Sequence, residues 1–149
     1  MVKNKESMEK TTKKQKREKI QKMGITNYPV GDFLIRIKNA SLASRQEVMV
    51  PSTKLVAATA NALKKAGFLE EVSQAKGILN VKIAYKKKRP VLMDLKLVSK
   101  PGLRIYLGVD DIESKKGPSL FLLTTPKGVV TSREAIKQRL GGEVLAEVW

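Results

Sequence analysis

The period of the apolar residues changes at Gly67. Before it, Phe33, Leu34, Ile37 and Ala40 recur at helical spacing, as do Leu55, Val56, Thr59, Ala62 and Leu63. After it, Val81, Ile83 and Tyr85 alternate with Lys82 and Ala84, the spacing of a half-buried strand. Helices followed mostly by strands do not make a doubly wound sheet, and the expected class is α+β.

Tyr28-Pro29 marks the start of the first helix, because proline suits a first turn that does not need its N–H. Arg36 and Lys38 should point away from the core. Glu47-Val48-Met49-Val50 is a short strand ended by Pro51, and Ser52 is the expected N-cap of a helix over 53–66 that stops at Gly67. Strands over 68–72 and 78–85 flank a turn at Lys76-Gly77. The charged run Lys86-Lys87-Lys88-Arg89-Pro90 is the expected boundary between two small packed half-domains. An αβαββ half occupies 25–88, and a mostly β half with one short helix occupies 89–149. The second half should hold strands over 91–98, 103–109 and 120–123 and an acidic turn at Asp110-Asp111-Ile112-Glu113. A polar loop over 124–128, the pair Val129-Val130, a helix over 132–140 and a closing strand over 143–149 follow.

Charge narrows the function. The 149 residues carry 30 lysines and arginines against 14 aspartates and glutamates, a formal +16. That surplus repels itself in the compact state and favours a polyanionic partner, nucleic acid first, with an anionic membrane surface or an acidic protein as the other candidates. Residues 1–24 hold Lys3, Lys5, Lys10, Lys13, Lys14, Lys16, Arg17, Lys19 and Lys22 against Glu6, Glu9 and Glu18, almost without apolar residues before Ile20. Such a tail cannot bury a face. Disorder is expected of it in isolation, as a solvated extension or an arm that orders on RNA. Cysteine and histidine are absent, which removes disulfides, the usual zinc sites and the Cys–His and Ser–His–Asp nucleophiles. Acid–base chemistry would fall to Asp32, Asp94 or Glu143. No cofactor is expected, and no apolar run approaches the ~20 residues of a membrane span.

Two segments stand out. Thr124-Thr125-Pro126-Lys127-Gly128 packs two hydroxyls, a cation and a glycine into five residues. It reads either as an ordinary hairpin turn or as a loop whose hydroxyls meet RNA edges while Lys127 meets a phosphate. Lys100-Pro101-Gly102-Leu103-Arg104-Ile105-Tyr106 should place Arg104 and Tyr106 on one strand face, opposite Leu103 and Ile105. A guanidinium beside a ring suits phosphate pairing and stacking, although an edge tyrosine with a solvated arginine has the same sequence. Lys86 to Arg89 could grip phosphates or form a solvated tip, and Asp110, Asp111 and Glu113 lack calcium-loop spacing.

Taken together, four blocks resemble the family of small ribosomal subunit protein eight, bacterial type. They are Pro29-Val30-Gly31-Asp32-Phe33-Leu34-Ile35-Arg36-Ile37-Lys38-Asn39-Ala40; Pro51-Ser52-Thr53-Lys54-Leu55; Ser99-Lys100-Pro101-Gly102-Leu103-Arg104-Ile105-Tyr106; and Thr124 to Thr131 followed by Gly141-Gly142-Glu143-Val144. The resemblance implies a two-part α+β protein without catalysis that binds the central domain of small-subunit ribosomal RNA and supports its folding and subunit assembly. It also implies neighbouring small-subunit proteins as partners and, in some members, the protein's own messenger. The location would be the cytoplasmic ribosome, with an organellar one also open. By the same resemblance, Thr124, Thr125, Lys127, Gly128, Tyr106 and Glu143 face the RNA, and Ser52, Thr53 and Lys54 touch neighbouring RNA; Arg104 and Lys100 join them on the reading of the 100–106 segment above. The chain departs from the family at Pro126, where a serine is usual, and at Ser119, where a glycine is common. It departs also at Tyr28, where an aspartate is usual, so the first helix should lack a cap unless Asn27 supplies one.

Overall fold

The computed structural model describes residues 28–115 and 117–149. The basic tail 1–24 and Asn27 therefore lie outside the described residues.

The first helix, α1 (Pro29–Leu42), begins at its proline and buries Val30, Phe33, Leu34, Ile37 and Ala40. Tyr28 occupies the N-cap position and makes no capping hydrogen bond. Strands β1 (Glu47–Pro51), β2 (Leu69–Ala75) and β3 (Ile78–Ile83) form an antiparallel sheet in the order β1-β3-β2, with α2 (Lys54–Lys65) between β1 and β2 in the chain. Central β3 alternates strictly, burying Leu79, Val81 and Ile83.

The cap of α2 is Thr53, one residue beyond the expected Ser52. The Thr53 hydroxyl accepts a hydrogen bond from the Val56 N–H at 3.2 Å. Ser52 instead donates its backbone N–H to the Gly77 carbonyl at 2.8 Å, so the β1–β3 pairing claims one residue more. The buried stripe of α2 runs through Val56, Thr59, Ala60 and Leu63, leaving Leu55 37% exposed where it was expected inside.

A small hairpin, β4 (Tyr85–Lys86) and β5 (Arg89–Pro90), turns through Lys87 and Lys88 at φ +52° and +64°. Beyond it lie β6 (Leu95–Leu97), β7 (Tyr106–Leu107), α3 (Val109–Ser114), β8 (Leu120–Thr125), β9 (Gly128–Thr131), α4 (Ser132–Gln138) and β10 (Gly142–Val148). The five strands form one antiparallel sheet, ordered β6-β10-β8-β9, with β7 also on β10.

Three expectations need correction here. The strand over 91–98 is only β6, because Met93 and Asp94 both donate their N–H groups to the Trp149 carbonyl, at 2.8 and 3.1 Å, and wrap around the chain's end. The strand over 103–109 is only β7, because Lys100 and Leu103 exchange two backbone bonds of 2.9 Å across a tight turn. The acidic turn is α3, so this half contains two short helices where one was expected. Among the described residues no helix is long and apolar enough to cross a membrane.

Alternation along β8 splits the core. Leu122 joins a cluster of Phe33, Leu34, Ile37, Leu63, Leu92, Leu95, Leu145 and Val148, which runs through both halves. Phe121 and Leu123 join the other cluster, with Ile112, Val130, Ala135 and Val144. Each fully buried side chain of this size stabilises the fold by roughly 1.5–3 kcal/mol, and the first cluster draws its members from both sides of the β4–β5 hairpin.

Candidate nucleic-acid interface

The start of β10 is where the expected site residues come together. Glu143 pairs in register with Tyr106 of β7 on one side and with Thr124 of β8 on the other. Only glycine lets β10 pass so closely. A Cβ on Gly142 would collide with the Thr124 carbonyl, and one on Gly141 would sit 2.7 Å from the Leu107 carbonyl.

Thr125 pairs with Gly128, so Pro126 and Lys127 are the two residues of a tight hairpin turn. The Thr125 hydroxyl works inside that turn. It donates to the Gly128 carbonyl at 2.8 Å and accepts from the Lys127 N–H at 3.3 Å. The Thr124 hydroxyl is buried with no partner among the described residues. Both hydroxyls therefore point inward, and the turn offers Pro126, Lys127 and Gly128 to solvent. Gly128 sits at φ +115°, a conformation that side chains rarely adopt.

Arg104 and Tyr106 do not share the simple strand face expected of them. Residues 103–105 precede β7 in irregular backbone, and Leu103 is 63% exposed. The Ser99 hydroxyl, fully buried, pins this backbone by accepting from the Ile105 N–H at 3.0 Å. Tyr106 is 68% exposed, its ring free to stack. The Arg104 guanidinium lies 3.2 Å from the Glu143 carboxylate and 4.9 Å from the centre of the Tyr28 ring. Burial pushes the Tyr28 phenol above its ordinary pKa, with Arg104 opposing that shift. The Tyr28 hydroxyl is buried, and Arg104 is the cation that acts on it. Sequence reasoning placed Arg104 and Glu143 at the site and missed Tyr28 and Ser99. A tyrosine standing where a capping residue belongs was the available signal for Tyr28.

Lys100 is exposed beside this cluster, on the turn closed with Leu103. The remaining candidates lie in the other half. Thr53 spends its hydroxyl on the cap of α2, the Ser52 hydroxyl is buried without a partner among the described residues, and Lys54 is exposed at the first turn. That turn contains no acidic residue, so the positive end of the helix is left uncompensated. Lys86 to Lys88 and Arg89 are the exposed hairpin tip.

Residues 28–149 match the family described as ribosomal protein S8. A similar protein is the small ribosomal subunit protein uS8 of Dechloromonas aromatica, 46% identical over 125 residues, covering 80% of this chain and 95% of that one. The protein of the same name from Roseiflexus castenholzii is 44% identical over 129 residues, covering 83% and 98%. That from Nitratidesulfovibrio vulgaris is 39% identical over 122 residues, covering 81% and 97%.

Proposed function

The chain belongs to the ribosomal protein S8 family and is a structural, non-enzymatic component of the small ribosomal subunit, and from that premise we propose that it grips small-subunit ribosomal RNA directly, with the end of its five-stranded sheet. The observation that carries this reading is the register of β10. It sets Glu143 between exposed Tyr106 and the strand that leads into the exposed Pro126-Lys127-Gly128 turn.

Lys127, Lys100 and Arg104 neutralise phosphates of an irregular helix in the central domain, and Tyr106 stacks on an unpaired base or a ribose. Glu143 holds Arg104 and accepts from base N–H groups or 2′-hydroxyls. Thr125 acts from inside, keeping the turn in the shape that fits. Thr124 keeps an unspent hydroxyl beneath the surface. Ser52, Thr53 and Lys54 form a second contact, in which Lys54 and the N-terminus of α2 face a phosphate. The tail over 1–24 adds attraction without sequence preference. The two halves, 25–88 and 89–149, divide the work accordingly, the second supplying most of the specificity. Neighbouring subunit proteins surround the bound chain. An RNA with the same irregular helix, its own messenger included, would compete for the same surface.

The test is binding of a central-domain transcript across a salt series, beside a scrambled transcript of equal length. Lys127→Ala should lower the log–log salt slope by about 0.7–0.9. Tyr106→Ala should weaken the central-domain transcript more than the scrambled one, by about 1–3 kcal/mol of stacking. Lys88→Ala should change discrimination little. Equal losses on both transcripts for all three variants would reduce the reading to plain charge attraction.

A further inference from the structure

Tyr28 is an odd residue for its place. It stands at the N-cap of α1, where Ser, Thr, Asp or Asn would accept a backbone N–H, and it makes no such bond. Its hydroxyl is buried, with the Arg104 guanidinium as the polar group that acts on it. A missing cap at this position calls for a compensating contact. Its ring has one to offer. On one side it rests on Gly31, where any Cβ would run into the ring. The Arg104 guanidinium covers it at 4.9 Å, while Glu143 holds the same guanidinium at 3.2 Å.

We infer that Tyr28 is a positioning residue for RNA recognition: its ring and the Glu143 carboxylate clamp the Arg104 guanidinium in the orientation that meets a phosphate. Arg104 springs from irregular backbone, so its direction is set by side-chain contacts rather than by a strand. A long side chain held on two sides loses less freedom on binding. At 40% side-chain exposure, the guanidinium still presents donors to a ligand. The clamp also ties the residue that opens α1 to the RNA-facing strand β10. This inference rests on the RNA-facing reading of Arg104 given above.

The test is a double-mutant cycle on the full chain, with the central-domain transcript as ligand and thermal unfolding measured in parallel. Arg104→Ala should weaken binding about tenfold, as expected for loss of a charge-assisted phosphate contact. Tyr28→Ser restores a capping side chain but removes the ring, and should weaken binding about two- to fivefold. Tyr28→Phe keeps the ring and should bind like the unaltered chain. In the Arg104→Ala background, Tyr28→Ser should have no further effect on binding, although its shift in unfolding temperature should persist. If Tyr28→Ser weakens binding as much without Arg104 as with it, the clamp is overturned and Tyr28 is merely structural. The same holds if Arg104→Ala weakens binding while Tyr28→Ser does not. If Arg104→Ala itself has no effect, the RNA-facing reading of Arg104 fails, and this inference falls with it.

Discussion

The segments Ser52-Thr53-Lys54 and Thr124-Thr125-Pro126-Lys127 are built alike. Each has two hydroxyls in succession, the second spent on local backbone and the first buried without a partner among the described residues. Each then exposes a lysine. Their surroundings differ. Lys54 heads a helix with no acidic partner in its first turn. The turn at Lys127 lies beside a strand register that also gathers Glu143, Tyr106 and, through Glu143, Arg104 and Tyr28. A lysine on a helix end attracts phosphate wherever one comes. A turn fixed against a ring, an ion pair and a close backbone crossing has a shape, and shape is what irregular RNA is recognised by.

The sharpest break in that comparison is Gly142→Ala. The new Cβ would meet the Thr124 carbonyl, and backbone cannot step aside cheaply. Overpacking of this kind costs about 1–3 kcal/mol, and central-domain RNA affinity should fall more than tenfold. Gly77→Ala is the counterpart beside Ser52. It meets open space but at φ +75°, so it should cost stability and leave RNA binding within about twofold. Denaturant unfolding and RNA titration of both variants would separate the two effects.

Thr125→Val and Thr53→Ala give a finer contrast. Each removes a hydroxyl with a structural task, for about 1 kcal/mol of stability. Thr125→Val should also weaken the central-domain transcript several-fold, because the turn loses its shape. Thr53→Ala should weaken that binding by less than about twofold, because it loosens only the second, weaker contact. Equal RNA losses in the two variants would erase the distinction between the segments.

The smallest effect belongs to Asp94, which bonds to Trp149 beyond the end of β10 opposite Glu143. Its carboxylate accepts from the Leu95 N–H at 2.7 Å and pairs with Lys38 at 3.2 Å, which hold its pKa below the ordinary value. A depressed carboxylate stabilises the fold above its unfolded pKa, and that contribution disappears as pH falls through the folded value. Asp94→Asn should therefore flatten the acid limb of a stability–pH curve below about pH 4. The pair is solvent-exposed and the change slight, with RNA binding at neutral pH untouched.

Much of the fold could be read from periodicity because long, regular elements carry it. The buried faces of α1 and β3, the turn at Lys76-Gly77 and the closing strand all follow from spacing and turn chemistry. Helix α3 did not, because a six-residue helix burying only Ile112 has no period to detect. The cap shifted from Ser52 to Thr53 because two adjacent hydroxyls are equally able, and the Gly77 carbonyl decided between them. At the site, residue types were legible and directions were not. Thr125 could have faced RNA or its own turn, and a hydroxyl looks the same in a sequence either way. The Arg104–Tyr28 contact joins distant parts of the chain, and only the fold brings it into view.

The most direct measurement is photocrosslinking from chosen positions. A photoreactive side chain would be placed at Lys127, at Lys54 or at Lys88 in cells, and the attached RNA sequenced. Position 127 should return one short segment of the central domain of small-subunit ribosomal RNA, position 54 a weaker neighbouring signal, and position 88 little above background. Position 88 matching position 127, or position 127 returning scattered RNA, would contradict the claim that the end of the five-stranded sheet is what holds the RNA.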